Sequence, residues 1–263
     1  MKPTIGVSKD NLGSLNSRND PWVSFPNPKP EAGLRLFCLP HVGGGTSTYF
    51  PISKYLPADM ELCLVRLPGR ESRLKEPPFS NLAPLVNTLA AIVEPYLDRP
   101  FAIFGHSMGA IIGYELLSNF ERRSFPTPAR LFVSSRRAPH LRDLDPPLHH
   151  LPDRILIKEI QNRYNGIPDV VLQNPELLHL FLPTLRADLT LVETYRFESG
   201  DIACPITAFG GLRDERVKVS ELHAWQERTR GEFRIELFPG GHFYFQNEEK
   251  ALVQTILSDL PLR

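Results

Sequence analysis

Gly105-His106-Ser107-Met108-Gly109 places one serine between two glycines, behind the apolar run "FAIF" and ahead of "AIIGYELL". A serine hydroxyl is a weak nucleophile until a base takes its proton. A G-x-S-x-G pentapeptide between a strand and a helix turns the chain so sharply that the serine oxygen stands exposed. The free N–H groups of the helix start then lie beside it. Without a strand before it and a helix after it, the same pentapeptide is a flexible turn, so the flanking periodicity gives it chemical meaning.

Such a serine needs a base and a carboxylate to orient that base. Asp214 in "AFGGLRDERV" and His242 in "LFPGGHFYF" each sit just past an apolar run. Their order, serine then acid then histidine, is one of the known chain orders of such a triad. Asp188 in a helical pattern, His223 in a helix body, and His149 and His150 in a proline-rich stretch are expected to face solvent. His106 is expected to point away from its neighbour Ser107 and to be structural. Acyl transfer also needs two backbone donors for a developing oxyanion. The elbow supplies the Met108 N–H. The glycine loop "LPHVGGGTSTYF" (39–50) supplies the Val42 N–H. Read instead as a phosphate-binding turn, this loop lacks a following G-K-[ST], and no G-x-G-x-x-G with an acidic partner is present.

Positioning these groups requires strands that end together. Short apolar runs occupy 34–40, 61–69, 101–107, 129–135, 205–211 and 233–240. Several are continuously apolar, as strands buried on both faces of a parallel sheet must be. Helical patterns fall between them, at 82–97, after Ser107, from Ser220 as N-cap, and over 247–260. This alternation predicts an α/β fold with a mostly parallel, doubly wound sheet. Residues 137–197 hold no strand pattern but apolar helical faces at 153–164 and 175–196, and read as a helical lid insertion. Residues 1–32 read as a flexible N-terminal leader and 33–263 as one domain.

Composition excludes several classes. Thirty basic residues balance thirty acidic ones, so no global field recruits nucleic acid or an anionic membrane. No apolar run approaches the roughly twenty residues of a spanning helix, and the N-terminus lacks a signal-peptide core. Cys38, Cys63 and Cys204 are widely spaced, which fits buried reduced thiols and neither a disulfide framework nor a metal site. Cytoplasmic localisation and a monomer are the expectations.

"LFCLPHVGGG", "RLPGRESRLKEPPF", "GHSMGA", "GGLRDERV" and "FPGGHFYF" together resemble the type II (external, editing) thioesterases that accompany nonribosomal peptide and polyketide synthases. The likeness runs from about 33 to 260. It implies the α/β-hydrolase fold and hydrolysis of acyl or aminoacyl thioesters on the phosphopantetheine arm of carrier proteins. No cofactor of the enzyme's own is implied. By carry-over Ser107 attacks, His242 moves the proton, Asp214 holds the imidazole, and the Val42 and Met108 amides bind the oxyanion. Val42 stands where the family commonly has a smaller residue, which would narrow the acyl pocket. Arg66, Arg70, Arg73, Arg136, Arg137 and Arg142 are candidates for patches facing an acidic carrier protein. A carboxylesterase or lipase-like hydrolase, an acyltransferase and a catalytically silent carrier-binding module remain the alternatives.

Overall fold

The computed structural model describes residues 20–143, 145–198 and 200–261. Seven strands, β1 (Val23–Ser24), β2 (Leu34–Leu39), β3 (Met60–Val65), β4 (Phe101–His106), β5 (Arg130–Ser134), β6 (Ile206–Gly211) and β7 (Phe233–Phe238), form one sheet in the order β1-β3-β2-β4-β5-β6-β7. Every neighbouring pair is parallel except the edge pair β1–β3. Strands β2 to β6 are buried along their whole length, so both of their faces are covered and their sequences carry no alternation. Edge strand β7 alternates instead, Phe233, Ile235 and Leu237 packing inward while Arg234 and Glu236 face out.

Two apolar layers sandwich the sheet. On one side, α1 (Leu82–Val93) and α2 (Met108–Arg122) bring Leu85, Leu89, Ile111 and Leu117 against Phe37, Ile103 and Leu131. On the other, a 3-10 segment at Thr46–Tyr55 and α7 (Glu249–Ser258) bring Tyr49, Ile52, Leu252 and Ile256 against Leu36, Phe104 and Phe132. Between β5 and β6 the chain inserts α3 (Asp153–Tyr164), α4 (Asp169–Leu172) and α5 (Pro175–Glu193), with a small core of Leu156, Ile160, Leu185 and Leu189. The short α6 (Val219–His223) is capped at Lys218, whose N–H donates to Glu221, and not at Ser220. Cys38, Cys63 and Cys204 are free and buried, and burial pushes all three thiols up, Cys204 to about 12. No described helix is long and apolar enough to cross a membrane.

The expected leader requires one correction. Of residues 1–32, the first nineteen lie outside the described residues, but Val23 is buried and pairs with Val65 on the sheet edge. Trp22 stacks under the Arg73 guanidinium at 3.8 Å, and Phe25 packs on Tyr96. Three apolar side chains in four residues supply enough buried surface to order this stretch.

Candidate active site

All the groups singled out by spacing stand at the carboxyl ends of the parallel strands, where open α/β sheets place their ligands. Strand β4 passes into α2 through Ser107, whose backbone sits at φ 52°, ψ −108°. That region is strained for any residue with a side chain. The Ser107 N–H is fixed on the Ser134 carbonyl at 2.8 Å. The flanking glycines are demanded by contact: a Cβ on Gly105 would lie 2.2 Å from the Gly109 carbonyl, and one on Gly109 2.4 Å from the Leu39 carbonyl oxygen. Strand, turn and helix therefore approach closer than any side chain permits.

Asp214 follows β6 and His242 follows β7, and the Arg213 N–H bonds the Gly240 carbonyl at 2.8 Å, tying the two loops together. The His242 Nδ1 lies 2.9 Å from Asp214 Oδ2. Asp214 Oδ1 accepts from the N–H groups of Arg216 (2.9 Å) and Val217 (3.2 Å). Burial pushes the Asp214 carboxyl up, but the His242 and backbone hydrogen bonds outweigh it, and its pKa lies below the ordinary carboxylate value. An ionised acceptor fixes the imidazole with its proton on Nδ1 and leaves Nε2 able to accept a proton. Ser107 and His242 line one cavity of about 660 Å³. No hydrogen bond joins their side chains in this structure.

His106 is buried, with Nδ1 2.9 Å from Ser134 Oγ, as its predicted structural role requires. His41 is buried beside it, and loss of hydration lowers its pKa to about 4. Both rings stay neutral at physiological pH and place no second positive charge under His242.

Of the three successive amides of Val42, Gly43 and Gly44 on the glycine loop, two are already engaged. The Gly44 N–H is taken by the His41 carbonyl at 2.9 Å and the Gly43 N–H by the Asp188 carboxylate at 2.8 Å. Among the described residues the Val42 and Met108 N–H groups have no hydrogen-bond partner.

Asp188 itself overturns an expectation. It is 1% exposed, not solvated, and Arg70 donates from Nη2 to its Oδ1 at 2.7 Å and from Nη1 to the Gly44 carbonyl at 2.8 Å. Thr184, one turn earlier on α5, donates to the Gly69 carbonyl. The inserted helix thus clamps the glycine loop through an ion pair that links residues 118 apart in sequence. Asp188→Asn would leave the buried Arg70 charge unpaired. We expect a stability loss of about 3 kcal/mol in urea titration and a fall in kcat larger than any rise in KM. Unchanged kcat in the folded variant would show that the clamp does not serve the loop.

The supposed basic patches dissolve in the same way. Arg70 and Arg73 are buried, Arg73 paired with Glu76. Arg66 is paired with Glu71, Arg137 with Asp143 and Glu221, and Arg136 lines the cavity. Of the six, Arg142 alone is exposed. His149 is also not a free surface group, its Nδ1 lying 2.6 Å from Glu193, whereas His150 and His223 are exposed as expected.

A thioesterase-domain family model matches residues 34–260. The gramicidin S biosynthesis protein GrsT of Aneurinibacillus migulanus is 38% identical over 94% of this chain and 96% of its own length. The thioesterase PikA5 of Streptomyces venezuelae is 37% identical over 94% of this chain and 88% of its own. Among solved structures, the RedJ thioesterase of the prodiginine pathway of Streptomyces coelicolor superposes with a TM-score of 0.82 at 33% identity, covering 89% of this chain and 92% of that one. A serine held at a glycine elbow, a hydrogen-bonded aspartate–histidine pair above the same sheet, and this likeness over the whole catalytic region have one reading: the chain belongs to the thioesterase family and has the α/β-hydrolase fold.

Proposed function

We propose that this protein is a type II thioesterase that hydrolyses acyl or aminoacyl thioesters on the phosphopantetheine arm of carrier proteins, in editing or release during nonribosomal peptide or polyketide synthesis. The observation that carries the reading furthest is the hydrogen bond between Asp214 and His242, the latter lining one cavity together with Ser107. The likeness to GrsT, PikA5 and RedJ supports the substrate class.

In this reading the Ser107 oxygen attacks the thioester carbonyl while His242 Nε2 takes its proton. The carbonyl oxygen becomes an oxyanion and is met by the unpartnered Val42 and Met108 N–H groups. Collapse breaks the carbon–sulfur bond, and the imidazolium returns its proton to the departing pantetheine sulfur. Water, deprotonated by His242, then cleaves the acyl-serine ester and releases a free acid. Asp214 stays ionised throughout and holds the ring in one tautomer.

The test presents one acyl group as a carrier-protein thioester, a matched oxygen ester, and a thioester with an added alcohol or amine acceptor. Free acid formed fastest from the carrier thioester is the expected result. Faster cleavage of the oxygen ester would favour a carboxylesterase, and product on the acceptor an acyltransferase. No turnover of any substrate would leave the silent carrier-binding module.

A further inference from the structure

The catalytic cavity contains a positive charge that the mechanism above does not use. Arg136 follows β5 by two residues and is anchored by its own carbonyl, which accepts from Trp225 Nε1 at 2.7 Å. Its side chain lines the cavity with Ser107 and His242. Its Nε is sealed from solvent and has no hydrogen-bond partner, and among the described residues no carboxylate forms an ion pair with the guanidinium. The buried arginines of the fold each have a carboxylate partner: Arg35 is paired with Glu61, Arg70 with Asp188, Arg73 with Glu76 and Arg130 with Glu232.

The acids of the cavity wall are each paired with a group other than Arg136. Asp143 is held by Arg137, Asp145 by Arg216, and Glu193 by His149 together with the Leu148 and His149 N–H groups. Leu185, Leu189, Val192 and Phe243 make much of the remaining wall apolar. A guanidinium in such surroundings has lost hydration at Nε without gaining a paired counter-charge, an unfavourable state that an anionic ligand would relieve. Consistently, burial pulls the Arg136 pKa below its ordinary value, against the field of Asp143.

We infer that Arg136 is an anion-binding residue of the substrate cavity, taking a carboxylate or phosphate oxyanion carried by the thioester substrate itself. The planar fork of an arginine suits either group bidentately. The two sources differ in position: a carboxylate belongs to the acyl group, a phosphate to the pantetheine arm. The inference rests on the thioesterase reading for the identity of the ligand, so it is tested by equilibrium binding, which does not require turnover.

In a Ser107→Ala background, calorimetry compares valeryl-pantetheine with glutaryl-pantetheine, and valeryl-pantetheine with valeryl-phosphopantetheine. One anionic member should bind at least about 10-fold more tightly than its neutral partner, the scale of one desolvated charged contact. Arg136→Met should bring that ratio close to one, and Arg136→Lys should retain part of it. A glutaryl preference assigns the carboxylate, and a phosphopantetheine preference the phosphate. Equal binding within each pair, or a preference that survives Arg136→Met, overturns the proposal. Because each ratio is taken within one variant, partial unfolding does not mimic the effect. Wild-type turnover of valeryl-pantetheine is measured in parallel. Its absence alongside an intact anion preference would sink the hydrolase reading and leave Arg136 as assigned.

Discussion

Ser107→Ala lowers kcat/KM for a carrier-protein thioester at least about 1,000-fold, the scale on which triad serines act, with the melting curve unchanged. The fold should hold because Ser107 anchors its turn through its backbone N–H on Ser134, a bond that alanine keeps. The serine side chain makes no hydrogen bond among the described residues, so its removal orphans none of them. Ser107→Gly provides the complementary test. Glycine occupies φ 52°, ψ −108° without a Cβ clash, so this variant should be equally inactive yet about 1 kcal/mol more stable. A strained residue whose relief raises stability and abolishes turnover is held there for chemistry. Loss of stability in Ser107→Gly would contradict the strain, and retained turnover in Ser107→Ala would contradict the nucleophile.

The second large effect concerns the frame of the elbow. Gly105→Ala and Gly109→Ala each place a methyl within 2.4 Å of main-chain atoms, against the Gly109 carbonyl in one case and the Leu39 carbonyl oxygen in the other. Main chain in the centre of the sheet cannot step aside as a side-chain tip can. Each variant should lose at least about 3 kcal/mol in urea unfolding, at the severe end of single substitutions. Gly113→Ala is the internal control. It lies in the same buried helix, but its added methyl meets only the side-chain carbons of Leu131, Ile103 and Leu39 at 3.1–3.3 Å. A helix-propensity gain of up to about 1 kcal/mol offsets that crowding, so the control should stay within about 1 kcal/mol of wild type. If all three behaved alike, close approach of the backbone would not be what the elbow glycines serve.

The sheet and the residues around Ser107 were legible because their signals are local. Continuous apolar runs mark strands covered on both faces, and glycines flanking Ser107 mark a turn too tight for side chains. Asp214 and His242 were singled out because each follows a strand end directly, and the fold joins them in a hydrogen bond. The clamp on the glycine loop was not legible. Asp188 sits one turn from Thr184 in a helix with mixed polarity, where a charge ordinarily faces water, and its partner Arg70 is on a distant loop. Only the three-dimensional closure of the inserted helix over the glycine loop makes that pair. The same holds for Arg70 and Arg73, which count as surface charge in a one-dimensional reading and are buried in the fold. Strand β1 escaped notice because two paired residues leave no periodicity to read.

The most direct test of the central claim is a titration of the wild-type protein with a fluorophosphonate, reading Ser107 occupancy by peptide mass and thioester turnover in the same samples. The account predicts that residual turnover equals the unlabelled fraction of Ser107 at every point, and that His242→Ala, without its base, labels far more slowly. Turnover persisting in protein fully modified at Ser107, or lost while Ser107 remains unmodified, would contradict it.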